Sequence, residues 1–402
     1  MARPTRFENI ALLSLGGVGY GALMFVWFSL PAYLSPIIDV LGLSGTQGGV
    51  LAGAIPLMYI PLGLFSGLVI DRVGARLGIG AGIALAGLGQ LGRAGAAEFS
   101  TMLAFTLLMG VGATGLTFGL PKLAAELYPS SFVGRAASVY LILSYVGTAS
   151  MFALGRSILG PALGGWRELF FVSGSVTVAI AAVWMLVSWY VPPGSHETDD
   201  DGAFSIRSVG DDIRAVFAHR DLRLLILLGT MYLFVFHGLQ GWLVTLFETR
   251  GIDPGLAGGV TAFLIAGQVV GVLTIPTIAE RYDRTKATLI GCGVISAIGV
   301  GGLFFQPRVA LLLTIPVAVI GFGMGGLAPL IRSIPVELDG IGPALTATAV
   351  GLVFAVGEIG GFLGPVLIGA LRDLTGSFAP GLLLCAAGAL IAAGAGASLS
   401  DL

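Results

Sequence analysis

Gly67-Leu68-Val69-Ile70-Asp71-Arg72-Val73-Gly74-Ala75-Arg76 is a short charged loop wedged between two long hydrophobic runs. A degraded second copy, Ala279-Glu280-Arg281-Tyr282-Asp283-Arg284, lies about two hundred residues later, again between two hydrophobic runs. A charged hinge that recurs at matching places in two halves describes a duplicated, polytopic membrane chain. Duplicated bundles of this kind are usually solute carriers.

Composition agrees with that reading. Mean hydropathy is +0.96. Of 402 residues 56% are hydrophobic and 10% charged, against roughly 25% charged in a typical soluble domain. A water-soluble fold has no way to hide so much apolar surface. The 64 glycines fit the same picture, because small residues let helices approach closely where burial from water cannot drive packing. A net charge of −2 points to no nucleic-acid partner. Cys292 and Cys385 both fall in apolar runs, so neither a disulfide framework nor a metal site is indicated. No cofactor is expected.

Runs of about 20 apolar residues mark candidate membrane spans. Twelve occur, near 10–36, 46–70, 77–97, 101–127, 133–158, 166–191, 222–247, 255–278, 286–306, 309–335, 342–370 and 378–398. The first follows Arg3 and Arg6 and is too long for a signal-peptide core of about 7–15 residues. The expected organisation is therefore all-α: a six-helix bundle over 1–191, a cytoplasmic linker over 192–221, and a second six-helix bundle over 222–402. The linker holds Pro192-Pro193, the acidic run Asp199-Asp200-Asp201, and a stretch from Ser205 to His219 that could lie as a helix on the membrane surface. Six of the 20 Lys and Arg (Arg93, Arg156, Arg167, Arg250, Arg308 and Arg372) fall on the side opposite the termini, which leaves fourteen on the terminal side. By the positive-inside rule both termini are cytoplasmic.

The halves repeat each other. Gly110-Val-Gly-Ala-Thr-Gly-Leu, ending at Glu126-Leu127, matches Gly321-Phe-Gly-Met-Gly-Gly-Leu, ending at Glu337-Leu338. One helix later, Gly147-x8-Arg156-x3-Gly160-Pro161 parallels Gly351-x8-Gly360-x3-Gly364-Pro365. Both Gly-rich strings also fit a dinucleotide-binding pattern, but a real fingerprint needs a strand before it and a helix after it. Inside apolar spans they read as close helix packing.

At these residues the chain resembles the major facilitator superfamily. Gly67-x3-Asp71-Arg72-x-Gly74-x-Arg76 looks like that family's signature loop between spans two and three. The second copy departs from it, with Pro276 for the first Gly, Glu280 for the Asp and Asp283 for the second Gly. The Gly-Pro pattern of spans five and eleven is similar to the family's antiporter motif, with Arg156 and Ile368 at two Gly positions. The resemblance implies two six-helix halves related by an axis along the membrane normal, a central cavity lined mainly by spans 1, 4, 7 and 10, and alternating access. Gly360-Gly361-Phe362-Leu363-Gly364-Pro365, followed by Asp373-Leu374-Thr375-Gly376, looks like anion-transporting members of the nitrate, cyanate and organic-anion kinds.

The candidate residues form three groups. Asp71, Arg72, Arg76, Glu126, Arg135, Arg281 and Glu337 are expected to build an inner gate of charge-assisted bonds, with Asp71 able to cap a helix. Glu358 is the only carboxylate deep in a span, and intramembrane charges are functional candidates by default. It could load and release a proton as the cavity changes face. Lys122 and Arg332, on equivalent helices, could present positive charge to an anion, although Lys122 also stands four residues before Glu126, a pairing distance on a helix. His237, Gln240, Tyr33 and Tyr232 could hydrogen-bond a substrate. Arg93, Arg156 and Arg167 lie near outer helix ends and are expected to snorkel or close an outer gate. The partners implied are a small-molecule substrate, protons and the bilayer, with the chain working as a monomer. Proton-coupled transport of a small anion is the leading expectation, and proton-driven efflux of amphipathic compounds the alternative. An enzyme is not expected: no His-Glu-x-x-His and no nucleophile elbow with a partner His occurs.

Overall fold

The computed structural model describes residues 6–191, 213–307, 309–338 and 343–400, without the side chains at 6, 64, 67, 68, 336, 337, 343, 344 and 347. Twelve long helices follow one another: α1 (Arg6–Ala32), α2 (Gly45–Val73), α3 (Ala75–Ala94), α4 (Phe99–Leu127), α5 (Ser130–Ser150), α6 (Trp166–Tyr190), α7 (Arg220–Thr249), α8 (Pro254–Tyr282), α9 (Thr285–Gly302), α10 (Thr314–Glu337), α11 (Pro343–Thr375) and α12 (Ala379–Ala397). Ten of them, all but α2 and α3, pass a test of length and apolarity for crossing a membrane among the described residues. α2 and α3, at 29 and 20 residues, complete the set read from the sequence. Two short helices, Leu34–Leu41 and Gly160–Leu163, and one 3-10 turn, Ala310–Leu313, join them. Of the helix expected over Ser205–His219, residues 213–218 are helical, and 205–212 lie outside the described residues, as does the acidic run.

The breaks between helices follow from a few residues. Gly74 ends the charged loop at φ +86°, a left-handed value that costs glycine nothing. In the degraded copy Asp283 holds the same turn at φ +50°, the only non-glycine with positive φ among the described residues; Asp is among the few side chains that tolerate it. Asp253 starts α8 by accepting bonds from the Gly255 and Leu256 N–H groups at 2.9 and 3.1 Å, with Pro254 in the first turn. α5 runs on through a π-helical stretch, Met151–Leu159, a geometry that inserts one extra residue per turn and frequently marks functional positions.

The helices sort into two compact units. One comprises Met1–Tyr33 with Pro61–Ala203, the other Leu34–Ile60 with Phe204–Leu402. The division read from the sequence keeps 34–60 with the first half, whereas by packing this segment joins the second. α2 is therefore shared, its first turns in one unit and the rest in the other.

Within each unit the same pairs of helices pack. α1 lies on α5 and α6, and α3 on α4 and α6; correspondingly α7 lies on α11 and α12, and α9 on α10 and α12. Glycine makes the crossings close. A Cβ at Gly147 would sit 2.0 Å from the Gly21 carbonyl oxygen, and one at Gly364 would sit 2.2 Å from that of Phe234. In the two Gly-rich strings, Gly112 meets the Gly82 carbonyl and Gly321 that of Leu264. They are packing surfaces, as their position in apolar spans implied. Large apolar side chains such as Ile142, Leu186, Leu273, Ile298 and Leu383 are exposed by about 60% or more, as expected where the solvent is lipid.

Candidate functional site

The charged candidates gather in two places, one in each unit. In the first unit, Asp71 ends α2 and accepts a bond from Lys122 of α4, forming a salt bridge. Lys122 and Asp71 are 23% and 49% exposed. Lys122 thus bonds to the signature loop, while its charge still acts on the i+4 Glu126. Arg76 also lies within electrostatic reach of Glu126, and its guanidinium donates to the Ser188 carbonyl at 3.0 Å and to that of Val191, at the carboxyl end of α6. Those carbonyls are the unsatisfied, partly negative end of a helix. Burial lowers the Arg76 pKa from its ordinary value, and the Glu126 charge opposes that shift. Trp184, fully buried, donates to the Arg76 carbonyl at 2.8 Å and fixes this turn. Arg72 is exposed, Arg135 lies over the Phe132 ring and Arg281 over that of Tyr282. The Glu337 side chain lies outside the described residues.

The expectation that Arg93 snorkels is corrected. Its guanidinium is 1% exposed and donates to the Thr106 hydroxyl (3.0 Å), the Val26 carbonyl (3.1 Å) and Gln90 (3.3 Å). The Gln90 amide in turn reaches Ser29 and Ser173. A cation at a helix end turns inward when enough acceptors wait there; α1 and α4 supply them, together with Gln90 of its own helix. Arg167 is held by the Ala94 and Ala96 carbonyls, and Arg156 lies 4.8 Å over the Tyr33 ring. Tyr33 is buried, with its hydroxyl on the Gly155 carbonyl at 2.6 Å inside the π-helical stretch. An apolar cavity of about 410 Å³ also lies in this unit, between α1, α5 and α6, lined by Val18, Ala22, Phe25, Leu143, Val146 and Val176 among others.

In the second unit, two residues chosen for different reasons meet. His237 of α7 and Glu358 of α11 place Nε2 and Oε2 3.6 Å apart, with side chains 9% and 12% exposed. That separation is too long for a hydrogen bond, and Glu358 Oε2 is a buried oxygen with no hydrogen-bond partner. One helix turn along α7, Gln240 is 1% exposed and its Oε1 is likewise without a partner. Tyr232 is buried and stacks on Phe236, which meets His237 edge-on. On the other flank, the Arg332 guanidinium of α10 lies 4.5 Å from the centroid of Phe354, one α11 turn before Glu358, and the residue is exposed. An imidazole and a carboxyl so placed can hold one proton between them in either of two net-neutral forms. Among the described residues no three His, Cys, Asp or Glu are grouped to hold a metal ion.

One arrangement had no sequence signal. Asp373, near the end of α11, accepts bonds at 2.7 Å each from the Gly45 N–H, the Thr46 N–H and the Thr46 hydroxyl, at the start of α2. Trp242 donates to the Pro365 carbonyl at 2.8 Å, and Arg372 lies over the Trp242 and Phe378 rings.

Comparison with known proteins gives the family. The family model described as Major Facilitator Superfamily matches residues 16–365. The chain is 27% identical over 371 residues to the 3-(3-hydroxy-phenyl)propionate transporter of Escherichia coli, covering 89% of this chain and 85% of that one. It is 24% identical over 335 residues to the cyanate transport protein of the same organism, covering 82% and 81%. Among solved structures, a bacterial homologue of the human lysosomal transporter Spinster, in an inward-facing and unoccupied conformation, superposes with a TM-score of 0.76 at 20% identity, over 98% of this chain and 94% of that one.

Proposed function

The chain belongs to the Major Facilitator Superfamily, a family of membrane transporters, and from that premise we propose that it carries a small organic or inorganic anion together with protons. The observation that carries the reading is the buried His237–Glu358 pair. Ionisable side chains within a span are costly and mark ion or substrate pathways. Glu358 is the proton carrier in this reading, and His237 is its partner. Arg332, one turn away beyond Phe354, supplies the positive charge for the anion, and Gln240 an acceptor for a substrate hydroxyl or water. Lys122, bonded to Asp71, goes with the gate. Two relatives, the 3-(3-hydroxy-phenyl)propionate transporter and the cyanate transport protein, support the anion class.

Transport then proceeds by alternating access. With the termini cytoplasmic, the Asp71–Lys122 bridge and the attraction of Arg76 and Lys122 for Glu126 lie at the inner face, where they hold one conformation and give way in the other. Only a ligand with different affinities for the two conformations can shift them. A proton on Glu358 and an anion at Arg332 are that pair of ligands.

Efflux of amphipathic compounds is the second reading, favoured by the Gly-Pro pattern of α5 and α11. A thermal-shift screen of the purified protein against anions and hydrophobic cations at two pH values separates the two. Stabilisation by carboxylates or cyanate that Arg332→Gln abolishes supports the first; stabilisation by hydrophobic cations alone overturns it.

A further inference from the structure

The first half of α2 carries glycine at every fourth position, Gly45, Gly49 and Gly53, which puts all three on one face. That face lies on α11. A Cβ at Gly49 would be 2.3 Å from the Pro365 carbonyl oxygen, one at Gly53 2.8 Å from that of Phe362, and one at Gly369 2.1 Å from that of Gly45. Along the same half of α2, Ala52 touches the Gly241 position of α7 and Pro56 the Gly361 position of α11. The Gly361 position is decisive. A Cβ built there meets Glu358 Oε2 at 2.3 Å, His237 Cδ2 at 3.0 Å and Pro56 Cβ at 3.2 Å. Pro56 therefore lies over the His237–Glu358 pair.

At the far end of this crossing, Asp373 grips the amino terminus of α2 through three bonds, where a carboxylate also meets the positive end of the helix dipole. We propose that the first half of α2 is a lid that seals the His237–Glu358 pair from the outer face of the membrane, and that Asp373 is its latch. While the latch holds, Glu358 has no route to outside water; when α2 lifts from α11, Pro56 uncovers the pair. Other ionisable groups on the elements around it are Tyr232 of α7, stacked on Phe236 beside His237, Arg332 of α10, reached across Phe354, Cys385 of α12, close to Gly238, and Tyr59, the one ionisable side chain in this half of α2. Release of the latch and exposure of the carboxyl are thus one movement. The inference deepens the proton-carrier reading and rests on it only for the meaning of that exposure.

The test uses the full chain in cells, with a water-soluble carbodiimide and an amine nucleophile added outside, and reads modification of Glu358 by peptide mass. Asp373→Asn removes the charge and one acceptor, so modification should rise about tenfold, the scale of losing a charge-assisted bond. Thr46→Val, which deletes only the hydroxyl donor and keeps the helix, should raise it in the same direction by less. Wild-type rates in both folded variants would overturn the lid. The two readings fail separately. If Asp373→Asn speeds labelling while Glu358→Gln still accumulates substrate on a proton gradient, the lid stands and the proton carrier falls. If labelling is unchanged while Glu358→Gln loses accumulation, the reverse holds.

Discussion

Gly49→Ala is a one-methyl perturbation whose consequence can be worked from distances. The new Cβ would lie 2.3 Å from the Pro365 carbonyl oxygen and 2.8 Å from Val366 Cα, whereas ordinary contact begins at 3.4 Å. The difference, about 1.1 Å at the oxygen, cannot be absorbed by a rotamer change because both obstacles are backbone. α2 must back away from α11. Overpacking of this kind costs about 1–3 kcal/mol. The cost falls on the arrangement in which the two helices touch, so the ratio of closed to open should drop by roughly 5–150-fold. A maleimide probe of Ala52→Cys reads the change, since Ala52 is buried against Gly241 in the closed crossing. Gly351→Ala, on the same α11 with nothing within 4 Å of its Cβ, is the control and should label as the parent does. If Gly49→Ala also labels and transports like the parent, the crossing does not move and the reasoning fails.

Three further outcomes are expected. Asp71→Asn or Lys122→Ala breaks a bridge exposed by 49% and 23%, which is worth less than about 1 kcal/mol. Thermal stability should stay put while the transport rate falls and labelling of the inner cavity rises; unchanged labelling would remove the bridge from the gate. Arg93→Met deletes the donor to Gln90 Oε1, but Thr106 and Ser29 keep their own bonds to main-chain carbonyls. One buried acceptor left bare costs about 1–3 kcal/mol, so the unfolding midpoint in detergent should drop; an unaltered midpoint would mean that the network carries no stability. Arg332→Gln should raise the substrate KM with little change in the unfolding midpoint, and Arg332→Lys should recover part of the affinity. An unchanged KM would take Arg332 out of the anion site.

Much of the architecture was legible because membrane helices announce themselves by length. The apolar runs fall on the twelve helices within a few residues, and the recurrence of the charged loop survives as one turn, with Gly74 and Asp283 both at positive φ. The glycine repeats were legible as packing surfaces, since the bilayer leaves close approach as the main way to hold helices together. Partner choice was not legible. Lys122 was equally spaced for Glu126 on its own helix, and only the placement of α2 against α4 brings Asp71 to it. Arg93 was expected at the surface because helix-end arginines usually reach water; the acceptors that pull it inward come from two other helices, α1 and α4, and from Gln90 on its own. Asp373 and Thr46 are separated by 327 positions, and nothing local to either predicts the contact. Glu358 and His237 were each visible as isolated polar residues in apolar runs, but their proximity follows from the glycine-lined crossing of α7 and α11.

The proton-carrier role proposed for Glu358 is tested most directly in proteoliposomes, by comparing uptake and exchange of labelled 3-(3-hydroxyphenyl)propionate and cyanate in the parent and in Glu358→Gln. The account predicts that the parent concentrates one of these anions when a pH gradient is imposed, whereas Glu358→Gln exchanges it across the membrane without concentrating it. A Glu358→Gln protein that still accumulates the anion against its gradient, with the parent's pH dependence, would contradict the account and leave His237 as the next residue to test.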